Sequence, residues 1–466
     1  MLPAWLPFSD PNVLNLRVLA FTAIITLGTG LVFGVLPAWR VCSGMDEEGL
    51  REGSRSGIGG RREWLRSVLV IAEITISVVL LVSAGVLIRA LWRVQAIDPG
   101  FRADSVLAIQ TWLPMPRYAF NAARTTLYTE ILSNVRALPG ISNAAYISSV
   151  PMGQGGGGIW PVTGTGNEDN ERDSSGIKNV GMRLISSGYF DTMHIPLIAG
   201  RDIRESDDIG AQPVAVISES FARRYWPNQD PLGRKFRFAI EHFPFAEQER
   251  IVVGVAGDVR FRGLERPSEP QVYLSYRQLP DRTSTFYAPR ALIVRSFGDA
   301  FTSAPAIRQI IKKADPEIPV TDVQPLRSVV DLQTAPRSTQ VRILFSFAAL
   351  SLLLAGIGFY GLLSFAVGQR SPEFGLRIAL GAQSSDILTM VLREGAWLAA
   401  IGATLGLLLS YLASRSLQSL LFGIGPFDPV TVSIAGVLAF MMTLSGSFLP
   451  ALRAMRTDPT TLIRME

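Results

Sequence analysis

The chain has almost no cysteine, almost no histidine and little charge. Cys42 is the one cysteine among 466 residues, which excludes an internal disulfide. With only His194 and His242, a histidine-rich metal centre is excluded too. Asp, Glu, Lys and Arg make up 18% of the residues, against roughly 25% in a soluble domain. No G-x-x-x-x-G-K-[ST] occurs anywhere in the sequence. The glycine run Gly155–Gly158, inside 153–166, has no Lys-Ser/Thr after it and reads as a mobile loop, not a phosphate loop. The chain is therefore not expected to be an enzyme or to hold a nucleotide engine of its own.

What is abundant is long charge-poor sequence. Apolar residues make up 48% and the mean hydropathy is +0.27. Five windows have the ~20 mostly apolar residues that a spanning helix needs: Val18–Trp39, Ser67–Ile88, Ile343–Gln369, Gly395–Ser414 and Pro429–Leu452. The first lacks the basic start and small-residue cleavage site of a signal peptide. The net charge of +5 does not indicate nucleic acid. Residues 95–338 hold 27 Lys+Arg and 26 Asp+Glu, so most of the excess flanks the spans. Segments 40–66, 370–386 and 453–466 carry eleven Arg, whereas residues 1–15 and Gly423–Asp428 carry none. By the positive-inside rule the first three are cytoplasmic and residues 95–338 are extracytoplasmic.

That outer region mixes helix and strand signals. Asn121–Leu138, Glu219–Tyr225 and Ala304–Ala314 read as helices. Val214–Ser218, Ile251–Val255, Gln271–Tyr276 and Ala291–Val294 read as strands. The expected architecture is an α-helical integral membrane protein of five spans with one large α+β extracytoplasmic domain. His194 lacks a nearby partner histidine or serine elbow and reads as a surface or packed residue. The acidic stretch Glu168–Asp173 lacks the EF-hand pattern and reads as solvated.

Two distant segments resemble each other. Pro7-Phe8-Ser9-Asp10-Pro11 precedes a span containing Val18-Leu19-Ala20-Phe21 and closing on Leu36-Pro37-Ala38-Trp39-Arg40. Pro426-Phe427-Asp428-Pro429 precedes one containing Val437-Leu438-Ala439-Phe440 and closing on Leu449-Pro450-Ala451-Leu452-Arg453. The order implies two tandem membrane units, the first cut down to its last span and tail. A complete protein is therefore expected to begin upstream of Met1, this chain being either a fragment or one that starts at an internal methionine.

The loop between the third and fourth windows carries the clearest motif, Glu373-Phe374-Gly375-Leu376-Arg377-Ile378-Ala379-Leu380-Gly381-Ala382. Glu373 and Arg377 are an i,i+4 pair in the favourable order, and Gly381 can end a short helix. Such a helix either lies on the membrane surface or docks into another protein. Glu73 lies seven residues past Arg66, about 10 Å along a helix. An intramembrane acid is a functional candidate, weighed against pairing with Arg66 and a helix-packing role. Gly356, Gly358 and Gly361, and Gly402 and Gly406, allow close helix approach and read as structural packing, with Gly402 and Gly406 also hinting at a dimer face.

Together with Leu420-Leu421-Phe422-Gly423, Asp428-Pro429, Leu449-Pro450-Ala451 and Asp458-Pro459, this loop makes the chain resemble the FtsX-like, MacB-type permease family of ABC transporters. Leu81–Arg89 followed by Asp98-Pro99-Gly100-Phe101 looks like the opening of the second unit in long two-unit permeases. Pro372 and Phe374 depart from the family pattern. The resemblance implies four parts: a truncated first unit at 1–60, the first span of a second unit at 61–94, a MacB-like periplasmic core domain at 95–338 and a three-span permease domain at 339–466. It implies that 370–386 is a coupling loop on a separate MacB-type ATPase subunit, which would hold ATP and Mg, with no cofactor in this chain. Further expected partners are membrane lipid, a second permease as dimer or pseudo-dimer, and a periplasmic adaptor. The expected location is the bacterial inner membrane and the expected mechanism is mechanotransmission. The competing readings are an anchored extracytoplasmic binding or signalling module without a motor, a non-functional truncated permease and a periplasmic enzyme.

Overall fold

The computed structural model describes residues 19–24, 26–28, 58–114, 116–153, 158–164, 172–173, 176–177, 179–239, 248–281, 288–370, 373–374, 377, 380, 383–416 and 428–455. Contacts divide the chain into Met1–Leu69 and Val70–Glu466. In the first unit the described residues form a short apolar helix, Leu19–Gly28, and the opening turns of a second helix. Among the described residues, four helices are long and apolar enough to cross a bilayer. They are α1 (Ile58–Gln95), α6 (Leu326–Gln369), α7 (Ser384–Ser416) and α8 (Pro429–Met455). Most of the first predicted window, Val18–Trp39, lies outside the described residues, as do Cys42 and His242.

The outer domain lies between α1 and α6. Its strands are β1 (Val106–Thr111), β2 (Ile141–Ile147), β3 (Ile159–Thr163), β4 (Arg172–Asp173), β5 (Gly176–Ile177), β6 (Asn179–Ile185), β7 (Leu197–Gly200), β8 (Val214–Ser218), β9 (Lys235–Phe238), β10 (Arg250–Ala256), β11 (Gln271–Ser275), β12 (Ala291–Ser296) and β13 (Val320–Pro325). Its helices are α2 (Asn121–Arg136), α3 (Tyr189–Met193), α4 (Glu219–Tyr225) and α5 (Ala304–Ala314). The main sheet runs β11-β8-β10-β9-β3-β6-β2-β12-β1-β13, with β7 on β10. A further parallel pairing, β11 with β6, closes six of these strands into a ring.

Strand side chains alternate between two cores, as the period of two requires. Leu107, Ile109, Tyr146, Ile217, Leu274 and Leu292 face one, together with Leu127 and Ile131 of α2 and Ile307 and Ile311 of α5. Val106, Ala108, Ile147, Val216, Tyr273 and Ile293 face the other. This second core also takes in Val94 of α1 and Leu326 and Val329 of α6. Both long helices are thus rooted in the domain's interior. Burial on both faces explains why these strands read as continuous apolar runs without alternation.

The helices expected at Glu219–Tyr225 and Ala304–Ala314 and the strand at Val214–Ser218 appear with those bounds. The expected loop 153–166 needs correction, because β3 lies inside it and pairs with β6 and β9. Its five residues are flanked by glycines that mask the strand signal, yet Val162 is fully buried. His194 is exposed and ends α3 in the left-handed region, with φ 52°. Residues 168–171 lie outside the described set.

Candidate coupling site and the helices that reach it

The candidate site is the turn between α6 and α7. The backbone N–H of Arg370 donates to Ala366, and that of Phe374 donates to the Arg370 carbonyl (2.9 Å), continuing helical hydrogen bonding past the end of α6. The Arg370 guanidinium pairs with Glu394 of α7 at 3.0 Å, tying the two helix ends together. Glu373 and Arg377 form the expected i,i+4 pair at 2.6 Å, both about half exposed. Arg377 also reaches Met390 Sδ at 3.2 Å. The Gln383 N–H donates to the Asp386 carboxylate at 3.0 Å, which satisfies a backbone donor at the start of α7.

The apolar side chains of this turn divide by direction. Phe374 is buried and joins the membrane core with Phe359, Leu363 and Val367 of α6 and Ile387 and Val391 of α7. Its contact is inward, to the bundle. Leu380, three residues past Arg377, is 80% exposed. Gly375, Leu376, Ile378, Ala379, Gly381 and Ala382 lie outside the described residues.

Glu73 lies on the seam between α1 and α6. A Cβ built on Gly358 would lie 2.5 Å from its Oε2, so glycine there makes room for the carboxylate. One turn on, the Ser77 and Ser351 hydroxyls meet at 2.7 Å. Glu73 has no ion-pair partner among the described residues, and the Arg66 side chain lies outside them.

The small-residue stripe on α7 is covered from within the chain. Added Cβ atoms at Gly402 and Gly406 would meet Ile74 at 2.9 Å and Val78 at 2.7 Å. Thr75 Oγ1 donates to the Gly402 carbonyl at 3.1 Å. The stripe is therefore the seat of α1, which fits the packing reading and not the dimer face. At the other end of the bundle, Asp428 caps α8 by accepting the Thr431 N–H at 3.0 Å, and it pairs with Arg89 of α1. These contacts give the Asp428-Pro429 motif a physical reason: an N-cap followed by proline at the first helical position.

Residues 67–325 match the MacB-like periplasmic core domain, and residues 345–459 match the FtsX-like permease C-terminal domain. The chain belongs to the FtsX-like, MacB-type permease family of ABC transporters. It is a multi-pass membrane protein with a large outer domain.

Among its relatives is the pyoverdine export ATP-binding/permease protein PvdT of Pseudomonas syringae pv. tomato, 26% identical over 58% of this chain and 40% of that one. The macrolide export ATP-binding/permease protein MacB of Nitrobacter winogradskyi is 26% identical over 59% of this chain and 42% of that one. The uncharacterized ABC transporter permease YknZ of Bacillus subtilis is 26% identical over 60% of this chain and 69% of that one. The chain spans about two fifths of the length of PvdT and MacB.

Proposed function

We propose that this permease works in the bacterial inner membrane with a separate MacB-type ATPase subunit, which holds ATP and Mg. ATP-driven movement enters at the turn 370–386 and leaves as a change in the outer domain. The cargo class is peptide, lipoprotein or drug-like, exported or extracted from the membrane. A second permease and a periplasmic adaptor complete the expected assembly.

One observation carries this reading. α6 is a single helix of 44 residues, about 66 Å long at 1.5 Å per residue. Leu326 and Val329 at its start lie in a core of the outer domain, and Val367 near its end lies in the core shared with Phe374. α1 follows the same plan, from Val70 in the membrane core to Val94 in the outer core. A displacement at the turn is thereby delivered to the outer domain along one helix with no loop to absorb it, although Pro336, which has no N–H, leaves a gap in its hydrogen-bond ladder.

The test is association with a MacB-type ATPase from the same genome, measured by co-purification from membranes. Arg377→Glu and Leu380→Asp should each reduce recovery about tenfold or more, since each replaces a rim contact by a repulsive or desolvated charge. Undiminished recovery with both substitutions would remove the coupling role and favour an anchored binding module without a motor.

A further inference from the structure

Away from the membrane bundle, the outer domain has a polar cavity of about 200 Å³ between α2, the end of β6 and the turn after β11. That is below the ~300 Å³ at which drug-sized sites begin, so its occupant has only a few non-hydrogen atoms. Arg136, Arg277, Tyr276, Thr129, Ser187 and Glu205 line it.

Both guanidiniums are fixed in place. Arg136 donates from Nε and Nη2 to the Ala144 carbonyl (3.0 and 2.7 Å), and from Nη2 to the Ser187 carbonyl (3.0 Å). Its Nη1 makes no bond among the described residues. Arg277 donates to Thr129 Oγ1 at 3.0 Å and to the Glu205 carbonyl at 3.4 Å. Among the described residues, Glu205 is the one acid in the lining. Its carboxylate lies 3.7 Å from Arg277 and is largely exposed, so the pair is loose.

We infer that this cavity binds a small monoanionic carboxylate, either a free short-chain acid or the carboxyl end of a peptide. Two guanidiniums against one carboxylate leave a single uncompensated positive charge. Planar N–H donors held in place suit a carboxylate. Glu205 beside them penalises a doubly charged phosphate. The inference is independent of the coupling reading, because no contact of the turn 370–386 enters it.

Isothermal titration calorimetry on the full chain in detergent micelles tests it, with acetate, trialanine, trialanine amide and inorganic phosphate as probes. Trialanine should bind at least about tenfold more tightly than its amide, the size of a lost charge-assisted contact. Acetate binding as well as trialanine assigns a free acid, and trialanine binding alone assigns a peptide end. Arg277→Gln should abolish binding. Glu205→Gln, at an exposed position, should tighten it severalfold, an effect that general loosening of the fold would not produce. Equal binding of acid and amide, preference for phosphate, no heat with any probe, or weaker binding by Glu205→Gln would overturn the assignment.

Discussion

The outer domain and the membrane bundle hold their interiors together by different means. In the outer domain, buried charged groups clamp backbone. Arg124 donates to the carbonyls of Tyr118, Ala119 and Pro280. Arg295 donates to those of Arg102, Asp104 and Thr192. Fully buried Asp315 accepts from Tyr118 at 2.5 Å and pairs with Arg117 at 3.1 Å. In the bundle the ion pairs Arg89–Asp428 and Arg370–Glu394 sit at the helix ends, while the interior contacts among the described residues combine apolar packing with missing side chains and hydroxyls bonded to backbone. Phe359 packs into a notch formed by Gly395 and Gly446. Thr75 bonds across to α7, and Ser410 bonds back to the Gly406 carbonyl. The solvent explains the contrast. Water drives apolar area into the outer cores, so these can also hold satisfied charges. Lipid gives the helices no such drive, and close packing has to supply the contact energy.

The sharpest break of this comparison is one substitution made in both regions. Phe221 is fully buried against Tyr225, Trp226 and Phe236. Phe221→Ala should destabilise the outer domain by about 3–5 kcal/mol, the sum of lost transfer and a cavity. Phe359→Ala loses packing but little transfer energy, and should cost about half as much. Chemical denaturation of the outer domain and thermal unfolding of the bundle, each referred to wild type, check the pair. Equal losses would erase the distinction.

A second, smaller effect targets the glycine seat. Gly406→Leu pushes against Val78 and the Thr75 carbonyl. It should cost about 1–3 kcal/mol of overpacking and separate α7 from α1. Cysteine cross-linking between Gly402→Cys and Ile74→Cys, in a Cys42→Ser background, should then fall. The outer domain's melting should stay unchanged, because no outer contact is touched.

The smallest effect concerns a charge in the outer domain. Burial pushes the Asp315 carboxyl up, but the Tyr118 hydroxyl, the Glu317 N–H and Arg117 more than offset this and hold it below the usual carboxylate range. Burial and Asp315 together push the Tyr118 hydroxyl up to about 12. Because the folded value of Asp315 is depressed, its contribution is present above the unfolded value of 3.8 and is lost as pH falls through the folded one. Asp315→Asn should therefore destabilise by about 1–2 kcal/mol near neutral pH. The gap from wild type should stay flat from about pH 8 to pH 5 and shrink below about pH 4. A gap unchanged down to acid unfolding would contradict the charged clamp.

The membrane helices were legible because length and lack of charge are counted directly from the residues. Asn121–Leu138 was legible from its amphipathic period, and it closes two residues earlier, at Arg136. β1, β2, β6, β7, β9 and β13 escaped notice. β1 and β6 are buried on both faces, which removes the alternation that marks a half-exposed strand. Of the candidate site, the Glu373–Arg377 pair followed from spacing alone. The inward turn of Phe374, the Arg370–Glu394 tie and the place of Glu73 against Gly358 all depend on contacts between helices distant in sequence, which no local pattern encodes. The polar cavity likewise joins residues from four separated segments.

The central claim is that motion at the turn 370–386 reaches the outer domain along α1 and α6. The most direct test is hydrogen–deuterium exchange on the permease–ATPase complex, with and without a non-hydrolysable ATP analogue. Wild type should change protection in 96–105 and 320–337 when nucleotide binds. A Gly-Gly-Ser-Gly insertion after Arg342, which interrupts α6 and leaves α1 intact, should abolish the change in 320–337 and only reduce that in 96–105, while leaving the ATPase bound. Identical exchange in those segments with and without nucleotide, in a complex that binds it, would contradict the account.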